Sequence, residues 1–212
     1  MEVLVPVLPY PACVPPTDRM RRETEATLVK VRDAATEVFA TGGLESTIAD
    51  VAERAGVGVA TIHRRFASKD ELIYEVYRDR LHAAEEVARK ASEGADAWDS
   101  FAGFFDESIR VLMADRGFWE LTTSGFTDSV GWSRETSQSR LPELLAEHRR
   151  TVGGYLEKLI RRAHEAGQLR TDFEPMDMMV LSAGVQATIT FGDEASRRAL
   201  GFVLDGLRTS PE

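Results

Sequence analysis

Ile48-Ala49-Asp50-Val51-Ala52-Glu53-Arg54-Ala55-Gly56-Val57-Gly58-Val59-Ala60-Thr61-Ile62-His63-Arg64-Arg65-Phe66 is the stretch on which the reading of this chain turns. Ile48, Val51, Ala52 and Ala55 recur at three- and four-residue steps, the spacing that lays side chains along one helical face. Thr47 stands where a helix cap belongs, and Asp50 falls in the first turn, where a carboxylate suits the positive end of the helix dipole. Gly56-Val57-Gly58 breaks the pattern before Thr61, Ile62 and Phe66 resume it. Two short helices joined by so tight a turn must cross steeply. With Ile62 and Phe66 turned inward, Val59, Ala60, Thr61, His63 and Arg64 face out, small near the helix start and polar further on. Such a surface can approach base edges in a major groove and bond to bases or phosphates.

Charge singles out the same place. Between Glu53 and Asp70 there is no acidic residue, whereas Arg54, Arg64, Arg65 and Lys69 all fall there. The 212-residue chain as a whole is acidic, with 26 Lys and Arg against 35 Asp and Glu and a formal charge of −9. That balance argues against wholesale binding to nucleic acid or an anionic membrane and leaves room for a local basic patch. Residues 1–70 carry nine basic and ten acidic residues, so the acidity is concentrated beyond them.

Working outward, Leu28, Val31, Ala35, Val38 and Phe39 predict a helix that Gly42-Gly43 ends. Downstream, Ser68-Lys69-Asp70-Glu71 reads as a capping box opening a long helix through Leu72, Ile73, Val76, Tyr77, Ala84, Val87 and Ala88, with Gly94 as the next breaker. Taken singly these features have plain readings: an arginine pair is usually a solvated face, Thr47 and Ser68 are ordinary caps, and His63 is a surface histidine. Their conjunction in this order points to DNA.

The segment from Ile48 to Leu72, extended back through Ala34-Ala35, Phe39 and Gly42 to Thr47, resembles the DNA-binding signature of TetR-type transcriptional regulators. The resemblance covers roughly residues 24–75. It implies an all-α chain with an N-terminal three-helix helix-turn-helix domain and a C-terminal helical domain that binds a small effector and dimerises. By position it makes Thr47 and Lys69 phosphate contacts and Gly58, Val59, Ala60, Thr61, His63 and Arg64 the recognition surface. Arg65, where the family often has His, adds phosphate binding if it faces out. Three departures stand out: the family usually carries Ser near Gly58, Gly near Ala60 and Tyr at His63. Gly remains an acceptable cap and Ala adds one methyl, but His for Tyr alters a groove contact, so the operator sequence does not transfer.

The resulting domain scheme is a tail over 1–19, a DNA-binding domain over 20–70, and a ligand-binding and dimerisation domain over 71–212. The tail is apolar but begins with an acid and is broken by prolines, unlike a secretory signal, and Met20-Arg21-Arg22 would itself make a sensible start of the protein. No window approaches the roughly 20 apolar residues of a membrane span. A single cysteine, Cys13, excludes an internal disulfide and fits a reducing compartment, so the cytoplasm is the expected location.

Further along, helices are expected near Phe118 to Thr122 and over 141–166, then from Pro175 and finally through Leu207. Aromatic residues crowd the middle of the chain, where the resemblance places the effector cavity. Trp98, Phe101, Phe105, Trp119 and Phe126 are its expected wall and imply a largely hydrophobic effector, with Arg110 or His148 available to an anion. Met179, Ala183 and Ala187 on one helix and Leu200 and Leu204 on the last can either pack within a monomer or meet a second copy. The resemblance favours a two-fold four-helix interface.

Enzyme readings find little support. The four histidines, His63, His82, His148 and His164, lack close metal-ligand spacing, and no nucleophile elbow, phosphate loop or dinucleotide fingerprint is present. No cofactor is implied. The expectation is a homodimeric repressor released from double-stranded operator DNA by a small molecule. An activator of the same fold, and an all-helical ligand-binding or enzymatic protein with an incidental basic patch, remain as alternatives.

Overall fold

Caps and glycines set the helix boundaries in the computed structural model, which describes residues 18–123 and 139–209, with side chains from residue 25 onward. Helix α1 (Asp18–Gly42) takes in the last two residues of the expected tail and stops where Gly43 adopts a φ of 77°. Helix α2 (Ile48–Ala55) starts with a reciprocal cap. Thr47 Oγ1 accepts from the Asp50 N–H at 3.2 Å, and the Asp50 carboxylate accepts from the Thr47 N–H at 2.6 Å. At its far end Gly56 is left-handed, with φ 65°, and the Gly56 and Val57 N–H groups return to the carbonyls of Glu53 and Ala52. Helix α3 (Val59–His63) follows at once.

Helix α4 (Lys69–Ser92) is capped by Ser68, whose Oγ accepts from the Glu71 N–H at 3.2 Å. The return bond of the expected capping box lands one residue early: Glu71 accepts from the Ala67 N–H at 2.9 Å. Then come α5 (Ala97–Met113), α6 (Arg116–Thr123), α7 (Leu141–Glu165) and α8 (Pro175–Ala187), a 3-10 turn at Thr188–Phe191, and α9 (Asp193–Leu207). Among the described residues there is no strand, only an isolated bridge between Leu169 and Arg208. The all-α architecture is as expected.

Two apolar cores share α4. One gathers Val31, Ala35 and Phe39 of α1, Val51, Ile62 and Phe66 of the helix-turn-helix, Leu72, Tyr77 and Leu81 of α4, Phe118 and Leu121 of α6, and Leu141 and Leu145 of α7. The other holds Ala88 of α4 with Trp98, Phe101, Phe105, Leu159, Phe173, Val185 and Leu200. Residue 70 therefore marks the start of a helix rather than a gap in the packing. α6 also begins ahead of its aromatic pattern, so Gly117 sits in its first turn. A Cβ there would lie 2.4 Å from the Tyr77 hydroxyl and 2.8 Å from the Phe39 carbonyl oxygen, which is why α6 can press so closely on α1 and α4.

A single carboxylate fixes that junction. Asp115, 1% exposed, precedes α6 and accepts from the Tyr77 hydroxyl at 2.9 Å, from the Phe118 N–H at 2.8 Å and from the Arg80 guanidinium. Arg80 also lies over the Phe118 ring, 4.8 Å from its centroid. Burial, and then the Asp115 charge, push the Tyr77 phenol above its ordinary range, so it stays a hydrogen-bond donor. Asp115→Ala would strand a buried hydroxyl, a buried N–H and a half-buried guanidinium. We expect a loss of roughly 3 kcal/mol in urea unfolding; a loss under about 1 kcal/mol would show that the junction does not depend on this residue.

Candidate nucleic-acid interface and effector cavity

Two side chains seat α3 on the first core: Ile62 and Phe66 are buried. Val59, Ala60, His63, Arg64 and Arg65 are exposed and Thr61 is half-exposed, so one face of this short helix is free. Val59 offers an apolar surface suited to a thymine methyl. Arg64 Nη2 donates to Thr61 Oγ1 at 3.2 Å, which lays the guanidinium along the helix. Gly58 caps the helix through extended backbone, φ −74°, with no side-chain bond.

The basic island is smaller in space than in sequence. Arg54 is paired with Glu37 of α1 and does not contribute to the display. Arg64 and Arg65 meet no carboxylate among the described residues. The Lys69 ammonium donates to the Leu44 carbonyl, and burial lowers its pKa. Two of its N–H bonds remain for a phosphate. Thr47 is exposed, with its hydroxyl donating to Asp50 at 2.8 Å, so a phosphate contact would exchange that bond.

Between α4, α5, α6, α7 and α8 lies a cavity of about 500 Å³, a volume at which pockets hold small molecules. Its wall includes Ala83, Ala84 and Val87, then Phe104 and Val111, Phe118 and Trp119, Val152 and Gly153, and Met176 and Met178. Of the aromatic residues expected here, Trp119 lines it. Trp98, Phe101 and Phe105 are instead buried in the second core, where Phe101 meets Phe105 and Phe173 edge-on with centroids 6.1 and 5.3 Å apart. Phe126 lies outside the described residues. The cause is that α5 is apolar on two faces: Phe101, Phe105 and Ile109 pack inward, and Phe104, Ser108 and Val111 turn to the cavity. The signal that marks the wall is the run of small residues, Ala83, Ala84 and Gly153, on helices that would otherwise close together.

Polar groups on this wall are few. His148 Nδ1 lies 3.0 Å from Glu85, whose other oxygen is 3.3 Å from the exposed His82. Burial outweighs the carboxylate and lowers the His148 pKa below its ordinary 6.5. Arg80 is engaged by Asp115, and Glu107 by Arg110, whose Nε donates at 2.9 Å. Arg110 itself is not on this wall. Among the described residues no group of three or more His, Cys, Asp or Glu could hold a metal ion.

Helix α6 touches both places. Phe118, Trp119 and Thr122 face the cavity, while Glu120 accepts from the Leu44 N–H at 2.7 Å and from Arg116 Nε at 2.7 Å. Leu44 is also the residue that receives Lys69, and it lies on the short link into α2. On α8 and α9, Val180 and Phe202 are 62% and 66% exposed, and Ala183 and Ala187 are exposed as well. Met179 is half-buried and lines the cavity. Leu200, at 5% exposure, and Leu204 pack into the chain's own second core, so the leucine stripe of α9 is already covered and its free face carries Phe202.

A left-handed glycine turn between two short helices, an exposed basic second helix and a helical body packed against them have the form of a helix-turn-helix transcriptional regulator. Residues 31–76 match the bacterial regulatory proteins of the tetR family, and residues 96–209 match the C-terminal domain of SbtR-like transcriptional regulators. The chain belongs to the TetR family. It is 25% identical over 141 residues to the uncharacterized HTH-type transcriptional regulator YhgD of Bacillus subtilis, spanning 66% of this chain and 70% of that protein. The fold is shared with the TetR transcriptional regulator SCO0520 from Streptomyces coelicolor, at 24% identity and a TM-score of 0.53 over 86% of this chain and 99% of that one. It is shared too with the ketosteroid transcriptional regulator KstR2 of Mycobacterium tuberculosis, at 18% identity and a TM-score of 0.59 over 86% and 95% of the two chains.

Salt-dependent gel shifts on the DNA upstream of its own gene separate the roles assigned to the interface. Lys69→Ala should weaken binding across all sequences and flatten the salt slope by about 1. Thr61→Ala or His63→Ala should relax preference at individual base pairs, by roughly 1–3 kcal/mol each. Wild-type binding by a Thr61, His63 and Arg64 triple alanine variant would reject α3 as the reading helix.

Proposed function

We propose that the protein is a homodimeric repressor that leaves its operator when a small, largely apolar molecule fills the cavity between α4 and α8. The observation that carries this reading is the double duty of α6, whose one side forms cavity wall while Glu120 on it holds the Leu44 link and Gly117 packs against Phe39 of α1 and Tyr77 of α4. A ligand that prefers one position of α6 shifts the population of α2 and α3 placements by its differential affinity for the two states. DNA affinity falls by the same factor. A closely packed junction favours discrete arrangements over gradual deformation.

Duplication follows from size. The reading helix α3 spans only Val59–His63, and a single small module buries too little surface for tight specific binding. Val180, Ala183, Ala187 and Phe202 form an apolar face on α8 and α9 that a two-fold partner would cover as a four-helix interface. The absence of any helix long and apolar enough to cross a membrane, among the described residues, is compatible with action on cytoplasmic DNA.

Two sets of variants test this. Gly153 is on the cavity wall with nothing within 4 Å of an added Cβ, so Gly153→Leu fills space and improves helix propensity. With hydrophobic compounds found by thermal shift, this variant should keep operator affinity within about twofold yet resist release, whereas Glu120→Ala should bind the compounds normally and lose most of the coupling. Normal release in both would refute the mechanism. Phe202→Asp with Val180→Asp should elute as a 23.5 kDa monomer and lose operator binding; a dimer that still binds would move the interface elsewhere.

A further inference from the structure

Thr122 and Thr123 on the cavity wall bond to carbonyls of their own helix and Ser108 is half-exposed, which leaves the charged and the deeply buried polar groups. The charged ones have other occupations: Arg80 is held by Asp115 and Glu107 by Arg110, while Arg149 is half-exposed and long enough to keep its guanidinium in water. The deep ones are not fully satisfied. Ser182 is 4% exposed, lines the cavity, and its hydroxyl has no hydrogen-bond partner among the described residues. Helix hydroxyls ordinarily satisfy themselves on a carbonyl one turn back, as Thr122 does on Phe118 and Thr188 on Val185.

His148, 6% exposed, is the other. A carboxylate can only accept, so its Nδ1 carries the hydrogen that points to Glu85. Nε2 is left as a lone pair with no partner among the described residues, on a side chain that forms part of the wall. The ring stays neutral because burial disfavours its cation, with Arg149 and His82 adding to that effect against Glu85. An anionic ligand would therefore set lone pair against lone pair.

Resting on the reading of this cavity as the effector site, we propose that it selects an uncharged, mostly apolar molecule bearing a hydroxyl group, such as an alkylphenol, whose O–H donates to His148 Nε2. Ser182 supplies a second polar point, suited to an oxygen elsewhere on the ligand. The small-residue and methionine surfaces around them take the hydrocarbon body.

Calorimetric titration of the full-length protein with 4-butylphenol, butylbenzene and 4-butylbenzoate tests the assignment, since the three share a shape and differ in the group offered. The phenol should bind at least about tenfold more tightly than either other probe. His148→Phe should remove that preference and leave butylbenzene binding within about twofold, and His148→Gln, which keeps an acceptor, should retain part of it. Replacing 4-butylphenol by 4-propoxyphenol should cost less in the wild type than in Ser182→Ala; an equal cost removes Ser182 from the site. Equal binding of phenol and hydrocarbon, or a preference for the benzoate, overturns the hydroxyl assignment while the cavity stands as a binding site. Failure of all three probes to bind overturns both.

Discussion

The junction of α4 and α6 is organised around the Asp115 carboxylate. It is buried, and a buried charge persists only where its lone pairs are met. Here they are met from two helices at once, by Tyr77 and Arg80 of α4 and by the backbone of α6. The carboxylate thus does two jobs: it caps a short helix, and it pins that helix to the long one beside it. Asp115 works because Gly117 lets α6 come within reach of Phe39 and Tyr77.

The same closeness gives α6 mechanical consequence. Eight residues long, it has little surface of its own and is positioned almost wholly by neighbours. Phe118 and Leu121 belong to the core that also seats α2 and α3, while Trp119 and Thr122 belong to the cavity wall. A molecule that packs against Trp119 would press on the same short helix that carries Leu121, and dense interiors transmit strain. Leu44 is held at both of its backbone groups: its N–H by Glu120 of α6 and its carbonyl by Lys69 at the start of α4.

How much of this was legible beforehand depends on whether the cause was local. The α2–α3 unit was, because a capping threonine, a left-handed glycine and two buried anchors four residues apart each act within one turn of chain. The start of α4 was half legible: Ser68 caps as its neighbours predict, but Glu71 reaches the Ala67 N–H, a choice made by side-chain reach in three dimensions. The cavity was legible only as a region. Phe101 and Phe105 form as good a helical stripe as any, and periodicity cannot say whether a stripe meets solid core or empty space. The leucines of α9 carried the same ambiguity, and in the structure Leu200 and Leu204 belong to the second core. Arg54 looked like part of a basic surface until Glu37, on another helix, was seen beside it.

Helix α8 deserves to be weighed next to α6, because it too has two faces with different company. Met176, Met178, Met179 and Ser182 line the cavity, whereas Val180, Ala183 and Ala187 look away from it toward the face read as the dimer contact. On that reading a ligand presses on two helices, one leading to the DNA-binding head of its own protomer and the other to the partner. The two routes need not compete: tilting a head within one protomer and rotating protomers about a two-fold axis both change the spacing between paired α3 helices. DNA is unforgiving about that spacing, since successive major grooves on one side of the duplex recur only about every 34 Å. A modest displacement at either helix is therefore enough, because the lever is judged at its far end, where two reading heads must fit one rigid ruler at the same time.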